Sequence, residues 1–211
     1  MRVFAADPLA QVSAGFDDPV RGAQQAFRTL LNAMAYPGRV QRWPSAARAG
    51  LQPPPGLDLG LAVALLALLD AETSLHLLGD AAQAEASLRF HTGVRFAQTA
   101  AGAEFVAGPA SALHEVVWSA LHRGSDEVPQ LGATLLLEVD SLHDGTVLAL
   151  RGPGIRGSQV VSVRGLSPCF WAWRCGLHTL RPRGIELVLT CGDELVALPR
   201  STQVVVVGPA G

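Results

Sequence analysis

Arg89-Phe90-His91-Thr92 is the run of this chain best equipped for chemistry. A guanidinium, an imidazole and a hydroxyl within four residues can grip a phosphate or carboxylate through charge-assisted hydrogen bonds. The run also has a structural reading: it ends an expected helix, where a cation complements the dipole and Phe90 turns into the core. Arg200-Ser201-Thr202 is a second cation–hydroxyl group, suited either to an anion or to a plain turn at a strand end. Gly152-Pro153-Gly154-Ile155-Arg156-Gly157 matches the dinucleotide fingerprint Gly-x-Gly-x-x-Gly, which must open a helix facing a pyrophosphate. Here Ser158 to Val163 reads as strand, Pro153 removes a donor, and no acid stands about 20 residues further on. A glycine turn between two strands is expected instead.

The six histidines, His76, His91, His114, His122, His143 and His178, form no His-x-x-x-His pair and flank no ligand-spaced cysteine, so no metal site is expected. Cys169, Cys175 and Cys191 are an odd count without Cys-x-x-Cys, as in a reducing cytoplasm. No Gly-x-Ser-x-Gly elbow is present. All 16 basic residues are arginine. Without lysine the chain can form no Schiff base to pyridoxal phosphate and has no Walker A loop. Any anion held by its side chains is held by arginine, histidine or hydroxyl groups.

These groups need a scaffold, and 211 residues suit one domain with a substantial core. Only 16% of residues are charged and 49% are hydrophobic, so part of the surface is expected to be covered by another chain; the alternative is a compact, alanine-rich protein from a GC-rich genome. A net charge of −2 gives no nucleic-acid footprint. Leu61 to Leu69 is far shorter than the roughly 20 residues of a membrane span, and no signal peptide is visible, which points to the cytoplasm.

Asp18-Pro19 starts a helix by capping it and supplying proline at its first position. Val20, Ala23, Phe27, Leu30, Leu31 and Met34 recur on one face, and Pro37-Gly38 ends it. Val40 to Trp43 is a short strand, Leu59 to Asp70 a buried helix and Ser74 to Leu78 a strand. Asp80 caps a helix to about Arg89; Phe105 to Ala107 is a strand and Ala112 to Leu121 a helix. Thr134 to Val139 and Val147 to Arg151 form a hairpin across Asp144-Gly145. Pro168 to Gly176 is ambiguous, with a helical turn as one reading; in a strand, Trp171 and Trp173 would share a face that belongs to the core or a subunit contact. Ile185 to Thr190 and Leu195 to Leu198 form a hairpin across Gly192-Asp193, ended by Pro199, and Val204 to Val207 completes its sheet. The pattern is α/β or α+β with a mixed sheet.

The wording of Gly184 to Gln203 closely resembles the C-terminal segment of the PhnH family. Ala26 to Gly38, Ser87 to Thr92, and Gly132 to Val139 continued by Leu150 to Ile155 resemble the same family in the same order. The resemblance implies one PhnH-like domain over residues 1–211, a three-layer α/β/α sandwich resembling the large domain of pyridoxal-phosphate-dependent transferases but holding no cofactor. It implies an accessory subunit of the carbon–phosphorus lyase core complex, needed for coupling alkylphosphonate to the ribose of ATP with release of adenine. ATP is then a substrate of the whole complex, the partners are its G, I and J subunits, and the isolated chain forms a homodimer. The competing reading is a stand-alone phosphonate- or nucleotide-binding enzyme built around Arg89, His91 and Thr92.

Overall fold

The computed structural model describes residues 12–79 and 82–209. Its spine is a mixed seven-stranded sheet. The strands run in the order β1 (Gln41–Arg42), β9 (Glu194–Leu198), β8 (Glu186–Cys191), β5 (Thr134–Glu138), β4 (Phe105–Pro109), β2 (Ser74–Leu77), β3 (Arg95–Phe96). The pairs from β3 through β8 are parallel, while β9 runs antiparallel to both β8 and β1.

Side-chain alternation along the central strands builds a core on each face. Leu135, Leu137, Leu187, Leu189, Val196 and Leu198 point to one side, and Leu136, Val188, Leu195 and Ala197 to the other. The second side is covered by α1 (Pro19–Ala35), α2 (Leu59–Leu68) and α3 (Ala82–Thr92). The first is covered by Trp118 of α4 (Glu115–Ala120), by Phe170 and Trp171 of α5 (Pro168–Gly176), and by an antiparallel sheet in the order β10 (Gln203–Pro209), β6 (Ser141–Arg151), β7 (Gln159–Arg164). The layers are therefore helical, sheet, and a third that mixes helix with sheet, which departs from an all-helical outer layer on both sides.

Several elements follow from local chemistry. Asp18 accepts from the Arg21 N–H and Asp58 from the Leu61 N–H, capping α1 and α2. Ser167 caps α5 through the Phe170 N–H. The cap expected at Asp80 lies outside the described residues, as do the first 11 of the 18 residues expected to be irregular.

Three expectations are corrected. β5 does not pair with β6: it sits between β4 and β8, and β6 pairs with β7 and β10. Asp144-Gly145 lies inside β6 at a break in register, where Gly145 at φ +98° makes a bulge. β10 accordingly belongs to the small sheet and does not extend the Glu186–Leu198 hairpin. The helical reading of Pro168 to Gly176 holds, and two residues apart on a helix means nearly opposite sides: Trp171 is fully buried and Trp173 half-buried beside Phe170 and Trp118. On α1 the buried residues are Gly22, Ala26, Leu30 and Ala33, while Val20, Phe27 and Leu31 face outward. The apolar arc of this helix is wider than the core can cover.

Candidate functional site

In parallel α/β sheets ligands settle outside the carboxyl ends of the strands. That end is filled here by the protein itself. The carboxylate of Asp58 takes the Leu61 N–H (2.6 Å), the Gly192 N–H (3.2 Å) and the Thr190 hydroxyl (3.5 Å), and its own N–H donates to Glu138 at 3.1 Å. Burial pushes the Asp58 carboxyl up to about 6, and the nearby Glu138 charge adds to this, while the three donors oppose it. Because the folded value lies above the ordinary 3.8, the folded chain holds an extra proton between the two. Stability from this group therefore grows as pH falls through about 6 and is fully present below about 4. Asp58→Asn keeps the cap and removes the titration. It should flatten the wild-type difference in unfolding free energy between pH 4.5 and 7 by about 2 kcal/mol, read by denaturant melts.

A concavity of about 740 Å³ opens at the opposite, amino end. Met34 and Ala35 at the end of α1, Pro153 and Gly154 of the β6–β7 turn, Glu186 at the start of β8, and Pro199, Arg200 and Ser201 after β9 all line it. Gly154, at φ +79°, lets the β6–β7 turn lie against the end of α1: a Cβ there would stand 2.2 Å from the Ala35 carbonyl oxygen. The Gly-x-Gly-x-x-Gly match is thus a turn between two strands. Arg200 forks onto Glu186, through Nε to Oε1 at 2.6 Å and its backbone N–H to Oε2 at 2.9 Å, and also donates to the Pro129 carbonyl. Both side chains are about four-fifths buried, so the pair is a wall rather than a mobile grip.

Behind this wall stands Arg174, fully buried on α5. It donates to the carbonyls of Pro199 (2.8 Å), Leu198 (3.3 Å) and Thr202 (3.5 Å). Burial lowers its guanidinium to about 10, opposed by the Glu186 charge, so it stays charged at neutral pH. The turn that carries Arg200 and Ser201 is held from inside by this one cation. The sequence points to no site in Pro168 to Arg183, since an arginine in a tryptophan-rich helix gives no spacing signal.

Arg89, His91 and Thr92 do not converge. The Arg89 guanidinium is exposed, 4.0 Å from Glu85 and 5.1 Å from the Phe96 ring. His91 Nε2 donates to the Ser13 carbonyl at 2.8 Å and borders a separate cavity of about 290 Å³ with Gly15, Phe16 and Leu66. The Thr92 hydroxyl donates to the Leu88 carbonyl at 2.7 Å and accepts from the Val94 N–H. Phe90 is 60% exposed and not in the core. Among the described residues no three His, Cys, Asp or Glu side chains are grouped as metal ligands would be, and no helix is long and apolar enough to cross a membrane.

Fold and site together define an α/β protein whose turn motifs shape one proline-lined groove at the amino end of its sheet. The chain belongs to the PhnH family: the model of the bacterial phosphonate metabolism protein PhnH matches residues 14–205. It is 33% identical over 202 residues to the alpha-D-ribose 1-methylphosphonate 5-triphosphate synthase subunit PhnH of Rhizobium meliloti (strain 1021), covering 90% of this chain and 94% of that one. It is 36% identical over 183 residues to HtxG of Stutzerimonas stutzeri, named as a candidate C–P lyase subunit, covering 86% of this chain and 85% of that one.

Proposed function

We propose that this chain is an accessory subunit of a carbon–phosphorus lyase core complex in phosphonate catabolism, needed for coupling alkylphosphonate to the ribose of ATP with release of adenine. The observation that carries the reading is where the family wording falls. Three of its four segments, Ala26 to Gly38, Leu150 to Ile155 and Gly184 to Gln203, meet at the 740 Å³ groove. They supply turns, prolines and a neutralised Arg200–Glu186 pair there, and no nucleophile beside a base. What that wording preserves is a shaped surface, the property of a subunit that works by contact.

In this reading the partners are the G, I and J subunits, the isolated chain is a cytoplasmic homodimer, and residues 1–211 act as one domain. The sandwich is related to the large domain of pyridoxal-phosphate-dependent transferases, and the missing lysine leaves it without the means to anchor that cofactor. ATP is bound and consumed by the assembly. Co-expression of the tagged chain with G, I and J, followed by mass determination of the eluate, should give one defined multi-subunit species. A lone homodimer, with every partner soluble and present, would overturn the proposal.

The second reading, a phosphonate or nucleotide site built around Arg89, His91 and Thr92, is favoured by the cavity that His91 borders. Arg89→Ala separates the two. As an exposed residue in a long ion pair, Arg89 should be dispensable, with turnover of the assembled complex within about twofold of wild type. Turnover lost from a complex that still assembles would favour the second reading.

A further inference from the structure

α1 has two apolar faces. Ala26, Leu30 and Ala33 pack into the core, while Val20, Phe27 and Leu31 are 68%, 44% and 52% exposed. Phe27, Leu31 and Met34 border a cleft of about 180 Å³ with Leu68, Phe105 and Val188. Met34 and Glu186 line this cleft and the 740 Å³ groove alike, so the two form one trough along the helix.

The chemistry of the trough selects its occupant. Pro129, Pro153, Pro182 and Pro199 line the wider part and have no N–H to offer a phosphate. The Arg200 guanidinium is already engaged by Glu186 and the Pro129 carbonyl. Uncompensated charge belongs to the surrounding segments. Arg181 is part of the lining, Arg28 flanks the exposed stripe of α1, Arg39 follows the helix, and Arg156 follows the Pro153-Gly154 turn. None of these four arginines pairs with a carboxylate among the described residues. A chain of net charge −2 therefore has an apolar trough with a cationic border. A second copy of the chain would bring the same arginines to a two-fold contact and set like charges against each other.

We propose that this trough is the docking site for a segment of a different polypeptide, apolar along its centre and flanked by Asp or Glu. The proposal rests on the accessory-subunit reading and adds the face and the chemistry of the contact.

The test is co-expression of the chain, carrying benzoylphenylalanine in place of Leu31, with the G, I and J subunits, followed by irradiation and mapping of the crosslink. The crosslink should fall on an apolar, acid-flanked segment of another subunit. Leu31→Arg, a change on an exposed face, should leave the melting temperature unchanged and lower recovery of that subunit at least about tenfold. The double variant Arg156→Glu, Arg181→Glu should lower recovery severalfold. Wild type should lose recovery between roughly 0.05 and 0.5 M salt, and the double variant should not. A crosslink to a second copy, a crosslinked segment without acids, or assembly indifferent to Leu31→Arg would each overturn the proposal while the accessory-subunit reading stands. Failure of the wild-type chain to recruit any subunit would remove both.

Discussion

Arg174→Met should cost the fold about 3 kcal/mol and lower the melting temperature by about 6–12 °C. The guanidinium is fully buried and satisfies the carbonyls of Leu198, Pro199 and Thr202. Replacing a whole buried ion pair by apolar groups is often harmless, because no partner is left behind. Here the partners are backbone carbonyls, which remain; Pro199 keeps the Thr202 N–H at 2.9 Å, and each carbonyl stranded away from water costs about 1–3 kcal/mol. Methionine packs well and returns only part of this. Arg174→Lys should fall between the two, since one ammonium on a shorter stem cannot reach three carbonyls spread along a turn. The same substitution should loosen Pro199, Arg200 and Ser201 on the groove wall, seen as faster amide exchange from 199 to 202 in a chain that is still folded. An unchanged melt for the methionine variant would show that the turn holds itself.

Gly154→Ala should be nearly as damaging, by about 2–3 kcal/mol, for a different reason. The residue sits at φ +79°, and its new Cβ would meet the Ala35 carbonyl oxygen at 2.2 Å and the Pro37 ring at 2.9 Å. The carbonyl belongs to the backbone at the end of α1, so no side-chain rotation relieves the contact. Gly157→Ala is the control. Gly157 has a similar φ of +76°, and a Cβ there would meet nothing within 4 Å. It should show only the conformational cost of a left-handed alanine, about 1 kcal/mol. The difference between the two variants in thermal or denaturant unfolding measures how tightly the β6–β7 turn is seated on α1. Equal losses would mean that the turn rests on the helix without pressing on it.

How far the sequence disclosed this arrangement depended on the range of the signal. Caps are local, so Asp18-Pro19 marked the start of α1 directly. The Glu186–Cys191 and Glu194–Leu198 hairpin was legible because a two-residue turn joins two short aliphatic runs. Asp144-Gly145 looked the same and deceived: a glycine at positive φ serves a bulge as well as a turn, and only the distant strand β10 decides which. On α1 the composition of the apolar face was visible but its division was not. Phe27 and Ala26 are adjacent in the chain, and which of them meets the core depends on where the sheet lies. The groove was illegible for the same reason. Its walls come from residues 34, 129, 153, 182, 186 and 199, which no spacing connects. Arg174 shows the limit most clearly, since its partners are backbone carbonyls that carry no side-chain signature.

The two outermost strands of the large sheet, β1 and β3, are only two residues long. A long open margin would invite any extended peptide to add itself as another strand, whatever its side chains. These stubs leave almost no backbone ladder to copy. The large sheet therefore resists growth by accretion during synthesis at high local concentration, and a chain visiting its margins must be recognised by its side chains. Its contacts can then be retuned one residue at a time without disturbing the sheet beneath.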